Sequence, residues 1–241
     1  MKTVLLLGGT AEARAFAKAF AIPGARLVAS LAGMTTRPLA YPCAMRHGGF
    51  GGVDGLRAYL RNEAIAALVD ATHPFATGMS RNAAQACAGQ AVPNIALTRP
   101  PWPPVGDWHS FASLRQAVDA LPPGARVLAT TGRKDIGPYA ARPDLAVFLR
   151  SVDPPDAVPA HVVPLVARAP FAMASETAGM TRHGITHLVT RNAGGESRAR
   201  LDAAVALGLP LHIVERPPMP VARTVHSVAD ALRWLQTVLR D

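Results

Sequence analysis

The feature that most constrains the fold of this chain is a regular alternation of short apolar runs with segments of helical periodicity. The apolar runs have the length of buried strands, and the segments between them have the length of helices. Parallel strands need a crossover connection, usually a helix, so this order is typical of a parallel sheet. The alternation predicts an α/β protein with Rossmann-like, doubly wound parallel sheets.

The same alternation occurs in both halves of the chain. In the first half it predicts strands at residues 3–7, 26–30, 45–48, 66–70 and 94–98, with helices at 11–21, 53–63 and 78–91. In the second half it predicts strands at 126–130, 145–149, 162–166, 187–190 and 211–214, with helices from 113, at 172–182, at 197–207 and from 227. The last helix carries an apolar stripe, which predicts that it docks on a sheet.

A proline-rich stretch at residues 99–104 separates the two halves. Proline neither continues a helix nor donates to a strand ladder, so the alternation stops there. We therefore expect two domains, 1–98 and 99–241, with residues 99–108 as a hinge. Ligands of doubly wound sheets bind at the carboxyl ends of the strands, so we expect a cleft between the two lobes to hold the functional site.

A glycine turn follows the first predicted strand. Gly8 and Gly9 lead directly into a helix, and such a turn lets a phosphate approach the backbone at the positive end of the helix dipole. The third glycine of the dinucleotide fingerprint is missing, and so is the basic end of a P-loop. Taken alone, the turn fits a nucleotide site and an ordinary strand-to-helix connection equally well.

The end of the second predicted strand indicates which nucleotide to expect. Ser30, Thr35, Thr36 and Arg37 offer hydroxyls and a positive charge, and this segment contains no acidic residue to hold a free ribose hydroxyl. This composition favours a 2′-phosphate, and therefore NADPH over NADH. The alternative is a solvent loop with incidental polar residues.

Polar segments also follow three later strands. His73 lies in the segment 70–76, either as a proton donor or as a histidine held by loop hydrogen bonds. Residues 130–135 and 191–195 each combine a glycine turn with cations, which is typical of an anion site. The convergence of several such segments favours a binding cleft.

The charge balance points to an anionic partner. The formal net charge is +9 and the pI is about 10.7, but the arginines are scattered and only 5% of residues are aromatic. This favours a small molecule with many carboxylates over nucleic acid. No apolar run approaches the roughly 20 residues of a membrane span. The chain has two isolated cysteines, which predicts a reducing, cytoplasmic location. The histidines do not have the spacing of metal ligands, so we expect no metal site.

Seven motifs in order resemble the precorrin-6A reductase family of cobalamin (vitamin B12) biosynthesis, over nearly the whole chain. They are LLGGTAEAR at 6–14, SLAG at 30–33, GGFGG at 48–52, DATHPFA at 70–76, RPPW at 99–102, TTGRKD at 130–135 and RNAGG at 191–195. Two departures occur: Met34 stands where the family often has arginine, and Arg191 and Ala193 replace a lysine and a serine. The resemblance implies NADPH-dependent reduction of one double bond of the precorrin-6A macrocycle, giving precorrin-6B.

The resemblance also implies which residues bind each molecule. For the cofactor they are Gly8, Gly9, Thr10 and Glu12 at the phosphates and ribose, Ser30, Gly33, Thr35 and Arg37 at the adenosine, Thr72, His73, Pro74 and Phe75 at the nicotinamide, and Thr131 and Gly132 from the second lobe. For the tetrapyrrole polycarboxylate they are Arg133, Lys134, Arg191, Asn192, Gly194 and Gly195. His73, Asp135 and water are the candidate proton donors.

Two other functions remain open at this stage. Another NADP-dependent reductase or epimerase of the same fold could act on an anionic substrate, because a fold does not fix its substrate. A basic nucleic-acid-binding protein is the alternative from a different class. The sequence does not distinguish a monomer from a small homo-oligomer.

Overall fold

The chain folds into two α/β units. The computed structural model describes residues 1–33, 39–168, 170–196, 198–220 and 223–240. One unit consists of Met1–Pro100 and Pro217–Asp241, and the other of Pro101–Arg216. Each contains one parallel sheet of six strands. The predicted class, with two Rossmann-like sheets, is confirmed.

The elements follow one another in the predicted alternation. In the first unit they are β1 (Lys2–Leu7), α1 (Ala11–Ala19), β2 (Ala25–Leu31), β3 (Ala44–His47), α2 (Gly52–Asn62), β4 (Ile65–Asp70), α3 (Thr77–Ala88) and β5 (Asn94–Leu97). In the second unit they are β6 (Trp108–Phe111), α4 (Leu114–Asp119), β7 (Arg126–Ala129), α5 (Ile136–Ala140), β8 (Ala146–Ser151), β9 (Val162–Val166), α6 (Met173–Arg182), β10 (His187–Arg191), α7 (Ala199–Ala206) and β11 (Leu211–Val214). The chain ends with β12 (Thr224–Val225) and α8 (Val228–Val238).

The first sheet has the order β12-β5-β4-β1-β2-β3, with β1 between β2 and β4. Strand β1 is apolar from Val4 to Leu7 because both of its faces are covered there. Val4 and Leu6 pack in a core with residues of α1 and α8, and Leu5 and Leu7 pack in a second core with residues of α2 and α3. This register places the carboxyl ends of β1, β2 and β4 side by side.

The second sheet has the order β6-β11-β10-β7-β8-β9. Its strands β7 to β11 repeat the arrangement of β1 to β5, with β7 at the centre between β8 and β10. The two sheets differ in the origin of the sixth strand. That strand is β12, from the end of the chain, in the first sheet, and β6, from the start of the unit, in the second.

The C-terminal segment differs from the predicted division at 98/99. Residues 217–241 lie in the first unit, although the sequence assigned them to the second domain. Strand β12 pairs with β5, and Trp234 and Leu235 of α8 are buried in the first core. The docking of this helix on a sheet is confirmed. The range 99–241 placed the helix with the second domain, because chain order alone does not reveal that the chain returns to the first unit.

The proline-rich segment differs from the predicted hinge at 99–108. Its residues from Pro101 onward belong to the second unit. Trp102 is 5% exposed and packs in that unit's core, and its backbone N–H donates to Asn192 Oδ1 at 2.8 Å. Burial of a tryptophan stabilises the segment by removing a large apolar area from water. Trp108 then begins β6, a strand that the sequence did not predict.

Candidate functional site

The glycine turn after β1 is shaped by two different demands. The Gly8 N–H donates to the carbonyl oxygen of Ser30 at 2.9 Å, and a Cβ on Gly8 would lie 2.8 Å from the Tyr41 hydroxyl. Gly9 has a φ of +115°, and apart from its two chain neighbours no heavy atom of the described residues lies within 4 Å of the position that its Cβ would take. Gly8 is therefore required by the packing of Tyr41. Gly9 provides a conformation that other residues avoid, next to open space.

Helix α1 begins immediately after this turn, and Thr10 fixes its start. The Thr10 Oγ1 accepts from the Ala13 N–H at 3.1 Å, and its hydroxyl donates to the carbonyl oxygen of Ala71 at 2.7 Å. Thr10 thus joins the start of α1 to the loop after β4. Glu12 lies in the first turn, and its Oε2 accepts from Arg99 Nη1 at 2.7 Å. The first N–H groups of a helix have no intrahelical partners, so the start of α1 is a fixed positive end.

Tyr41 is a site residue that sequence reasoning missed. The Gly9 N–H donates to its hydroxyl oxygen at 3.0 Å, and the side chain is 8% exposed. Burial raises the pKa of Tyr41, so the hydroxyl keeps its proton at neutral pH. With its oxygen already accepting from Gly9, this hydroxyl remains a donor beside the turn. Nothing in its sequence context indicates this contact.

Arg46, near the end of β3, is the second missed residue. Its Nη1 donates to Ser30 Oγ at 3.0 Å and to the Gly48 carbonyl at 2.9 Å, and its Nη2 donates to the Gly49 carbonyl at 3.2 Å. The guanidinium carbon lies 3.9 Å from the centre of the Phe50 ring. These contacts fix the cation at the carboxyl ends of β2 and β3. The available signal was a basic residue just before the glycine cluster at 48–52.

The glycine cluster itself is pressed against helix α2. A Cβ on Gly55 would lie 1.7 Å from the carbonyl oxygen of Phe50, so only glycine allows this approach. Phe50 and Tyr59 meet edge to face with ring centres 5.1 Å apart. The loop therefore holds Phe50 in one place, and Phe50 in turn holds Arg46.

The loop after β4 is organised by a buried carboxylate. Asp70 is 2% exposed, and its Oδ1 accepts from the Thr72 N–H at 3.1 Å and from the Thr72 hydroxyl at 2.7 Å. Its Oδ2 is buried and has no hydrogen-bond partner among the described residues. His73 Nδ1 accepts from the Phe75 N–H at 3.3 Å. This geometry corresponds to the neutral imidazole with its proton on Nε2.

In the second unit, the segments after β7 and β10 meet through an ion pair. Arg191 Nη2 lies 2.7 Å from Asp135 Oδ2, with side chains 30% and 21% exposed. Burial raises the pKa of Asp135, and the positive charge of Arg191 partly opposes that shift. Thr130 and Thr190 join the same two strand ends, with hydroxyl oxygens 2.7 Å apart. The two predicted anion segments therefore form one cluster.

The loop 192–195 makes its polar contacts within the protein. Asn192 is 3% exposed, and its Nδ2 donates to the Trp102 carbonyl at 3.2 Å and to Glu215 Oε2 at 3.0 Å. The Trp102 indole N–H donates to the carbonyl oxygen of Gly195 at 2.6 Å. Arg216 donates to the carbonyl oxygens of Asn192 and Ala193. Asn192 thus supports the segment 101–104, and its role at a substrate stays a prediction.

The predicted site residues fall into two groups, one at the carboxyl end of each sheet. The first group contains Gly8, Gly9, Thr10, Glu12, Ser30, Gly33 and residues 72–75. The second contains Thr131, Gly132, Arg133, Lys134, Asp135, Arg191, Asn192, Gly194 and Gly195. Thr35 and Arg37 lie outside the described residues.

Within the described ranges, no three histidine, cysteine or acidic side chains are grouped so that they could hold a metal ion. Nor does any described helix have the length and apolar character required to cross a membrane. Cys43 and Cys87 are free thiols.

Comparison with known proteins identifies the family. A sequence model of the family described as "Precorrin-6x reductase CbiJ/CobK" matches residues 3–236. A precorrin-6A reductase of Rhodococcus erythropolis is 47% identical over 247 aligned positions, covering 100% of both chains. That of Rhodobacter capsulatus is 41% identical and covers 98% of this chain and 96% of its own. A solved structure titled "CobK precorrin-6A reductase" is 40% identical with a TM-score of 0.92, covering 99% of this chain and 97% of that one. The chain therefore belongs to the precorrin-6x reductase CbiJ/CobK family.

Proposed function

We propose that this protein is a precorrin-6A reductase that uses NADPH to reduce one double bond of the macrocycle, giving precorrin-6B for cobalamin biosynthesis. The family supports the substrate, because relatives at 41% and 47% identity carry that name over their full length. The observation that supports the cofactor is the arrangement at the first sheet. A glycine turn beside open space, a capped helix start and a fixed cation lie along neighbouring strand ends.

The residues of the first unit fit a nicotinamide dinucleotide. Among the described residues, none beyond its chain neighbours fills the space at the Cβ position of Gly9, so a phosphate can approach the backbone there. The start of α1 favours negative charge through its dipole, and Thr10 fixes its position. The strand order places this turn at the centre of the sheet, where doubly wound folds bind dinucleotides. When bound, the cofactor supplies the hydride, and the protein supplies binding and orientation.

The loop after β4 is suited to positioning the nicotinamide ring against the macrocycle. Asp70 orients Thr72, and Thr10 holds the carbonyl of Ala71, so the start of this loop is fixed. A rigid loop that holds a reactant in the productive orientation raises the rate of the reaction, because the reactants spend less time in unproductive arrangements. We therefore assign Thr72 and the residues up to Phe75 to the nicotinamide end.

The second unit supplies charges for the substrate. Arg133 and Arg191 lie at the carboxyl ends of the central strands, and Lys134 is exposed beside them. Precorrin-6A carries acetate and propionate groups, and guanidinium groups match carboxylate geometry. Asp135 holds Arg191 at 2.7 Å, so this cation has a fixed position from which to meet a carboxylate.

The contacts of both predicted proton donors favour water as the source of the proton. His73 Nδ1 accepts from the Phe75 N–H at 3.3 Å, so this nitrogen is engaged within the loop. Burial raises the pKa of Asp135, but its Oδ2 accepts from Arg191 Nη2 at 2.7 Å, so that oxygen is engaged with a cation. We propose that these side chains position their neighbours and that solvent protonates the carbon next to the one that receives hydride.

The test is turnover of precorrin-6A with NADPH, followed by loss of the cofactor's absorbance. We expect NADPH consumption matched by formation of the reduced macrocycle. Loss of a true general acid costs about 10²–10⁴-fold in rate. We therefore expect His73→Asn and Asp135→Asn to lower kcat by less than about tenfold. No consumption with either the metal-free or the cobalt-containing substrate would contradict the function, and a loss of 10²-fold or more would identify that residue as the acid.

A further inference from the structure

We propose that Arg46, with Ser30 beside it, recognises the 2′-phosphate of the cofactor's adenosine ribose. This inference rests on the proposed NADPH-dependent function and adds the group that selects NADPH over NADH. The sequence analysis assigned the charge for that role to Arg37 and the hydroxyls to Ser30, Thr35 and Thr36. Arg46 is the cation that the structure places at the carboxyl ends of β2 and β3.

Ser30 connects this cation to the glycine turn. Its carbonyl oxygen accepts from the Gly8 N–H at 2.9 Å, and its side-chain Oγ accepts from Arg46 Nη1 at 3.0 Å. Strand β2 lies between β1 and β3, so the backbone of β3, which carries Arg46, is about 10 Å from β1, the strand that leads into the turn. A pyrophosphate bound at the turn would bring the adenosine ribose over the end of β2. In dinucleotide-binding folds, side chains at that position contact the 2′ substituent of the adenosine ribose.

The hydrogen bonds of Arg46 orient its charge without neutralising it. Its partners are a hydroxyl and two carbonyl oxygens, and no carboxylate pairs with it in the parts of the chain that the structure describes. These bonds use both hydrogens of Nη1 and one of Nη2. The Nε hydrogen and the second Nη2 hydrogen remain for an anion, in the forked geometry that matches a phosphate.

The environment of Arg46 also restricts its movement. Its guanidinium carbon lies 3.9 Å from the centre of the Phe50 ring and 5.1 Å from that of Tyr59. Cation–π contacts of this kind hold the plane of the guanidinium. A cation already held in one orientation loses little conformational freedom on binding, so it discriminates strongly between a ribose with and without a phosphate.

The alternative is that Arg46 only supports the glycine loop through the carbonyl oxygens of Gly48 and Gly49. The two roles predict different binding behaviour. A residue that reads the 2′-phosphate affects NADPH and not NADH, because NADH has a hydroxyl at that position. A residue that only supports the loop weakens both cofactors together and lowers the melting temperature.

The experiment measures the Kd values of NADPH and NADH for the purified full-length protein by ligand fluorescence, without macrocycle. A charge-assisted pair contributes about 1.5–3 kcal/mol, so Arg46→Gln should raise the NADPH Kd about 10- to 100-fold. The NADH Kd should stay within about twofold. Ser30→Ala removes a neutral hydrogen bond and should raise the NADPH Kd by about two- to tenfold. The matched control is Arg61→Gln, which removes an exposed arginine from α2 and should leave both values unchanged.

Three results would overturn the inference. One is an unchanged ratio of the two Kd values in Arg46→Gln. Another is an equal loss of both cofactors with a lower melting temperature, which assigns Arg46 to loop support. The third is loss of the NADPH preference in Arg37→Ala but not in Arg46→Gln. Failure of the unmodified protein to bind either cofactor is a different outcome, because it contradicts the proposed function.

Discussion

The two units share a strand order but differ in the helix that follows the central strand. In both, a glycine with positive φ follows the central strand, namely Gly9 at +115° and Gly132 at +108°. After Gly9 comes a helix of nine residues capped by Thr10. After Gly132 comes a helix of five residues whose N-cap residue, Asp135, makes no side-chain cap hydrogen bond. The turn in the first unit therefore has the better-formed helix start for a phosphate.

The arginines near the carboxyl ends of β3 and β8 show a similar contrast in charge. Arg46, on β3, is held beside the end of β2 by neutral acceptors. Arg150, near the end of β8, makes an ion pair with Glu176, at 2.5 Å between Nη1 and Oε1 and 2.7 Å between Nη2 and Oε2. Under our proposal, the first unit uses such a cation for binding a ligand, whereas the second unit neutralises its cation internally.

Glu176→Gln should give the largest effect on this comparison. The Glu176 side chain is 2% exposed, and its loss leaves the Arg150 charge unpaired in a site where it is 16% exposed. Breaking one side of a buried ion pair costs about 3–5 kcal/mol, so the free energy of unfolding of the second unit should fall by about 3 kcal/mol. Urea unfolding followed by tryptophan fluorescence measures this, with Trp234→Phe restricting the signal to Trp102 and Trp108.

Two further variants make the comparison specific. Glu196→Gln removes an exposed carboxylate of the same unit and should change stability by less than about 0.5 kcal/mol. Arg46→Gln should change the stability of the first unit by less than about 1 kcal/mol, because no counter-charge is left behind. A small effect of Glu176→Gln, or a large one of Arg46→Gln, would remove the proposed difference between the units.

Alanine at the two turn glycines should give the next largest effect. Gly9→Ala places a methyl group in the open space where we propose that a phosphate approaches, and we expect the NADPH Kd to rise at least about tenfold. Gly132→Ala, in the second unit, should raise it less than about threefold. Titration of each variant with NADPH measures both values.

Gly24→Ala is the matched control for backbone strain. Gly24 also has a positive φ, of +72°, with open space at its Cβ, but it lies at the opposite end of the sheet, before β2. The Gly24→Ala variant should lose stability as the Gly9→Ala variant does, but its affinity for NADPH should be unchanged. Equal losses of affinity in Gly9→Ala and Gly132→Ala would show that both turns contact the cofactor.

Lowering the pH should produce the smallest effect, which is a loss of stability of the second unit. His212 is 5% exposed, its Nδ1 lies 2.8 Å from the Ala117 carbonyl oxygen, and its ring lies 5.7 Å from His109 and 5.6 Å from His187. Burial is the main cause of the lowered pKa of His212, and the nearby His109 lowers it further, while Ala117 and Asp107 oppose the shift. Burial likewise lowers the pKa of His187.

Because the folded pKa lies below the unfolded value, the unfolded state binds the proton more readily. The stabilisation is complete above the unfolded pKa of about 6.5 and is lost as the pH falls through the folded pKa. We expect the melting temperature of the second unit to fall between about pH 7 and pH 5, and to fall less in His212→Gln. Equal pH dependence in that variant would show that other groups cause the acid sensitivity.

The sequence predicted those parts of the fold and site that depend on local pattern. The apolar run of β1 and the following glycines were sufficient to place the turn. Strand burial and backbone freedom both depend on residues that are adjacent in the chain. Strand β12 has only two residues and follows a proline-rich stretch, so it has no periodicity of its own. It exists because β5 provides an edge to pair with.

The missed site residues depend on contacts between distant parts of the chain. Arg46 and Ser30 are 16 positions apart, and their contact follows from the parallel pairing of β2 with β3. The pair Asp135 and Arg191 was predicted residue by residue, but the ion pair spans 56 positions and follows from the pairing of β7 with β10. Composition and spacing indicate which residue types are available, and strand pairing decides which of them meet.

The return of α8 to the first unit has a consequence for synthesis of the protein. The second unit is continuous in the chain, whereas the first is completed by residues 217–241. Ala231, Trp234 and Leu235 of α8 pack in one core with Val4 and Leu6 of β1, so this apolar face of β1 is only partly covered, by α1, until α8 has left the ribosome. The unit that is translated first is therefore the last to be completed, and a nascent or prematurely ended chain exposes its central strand.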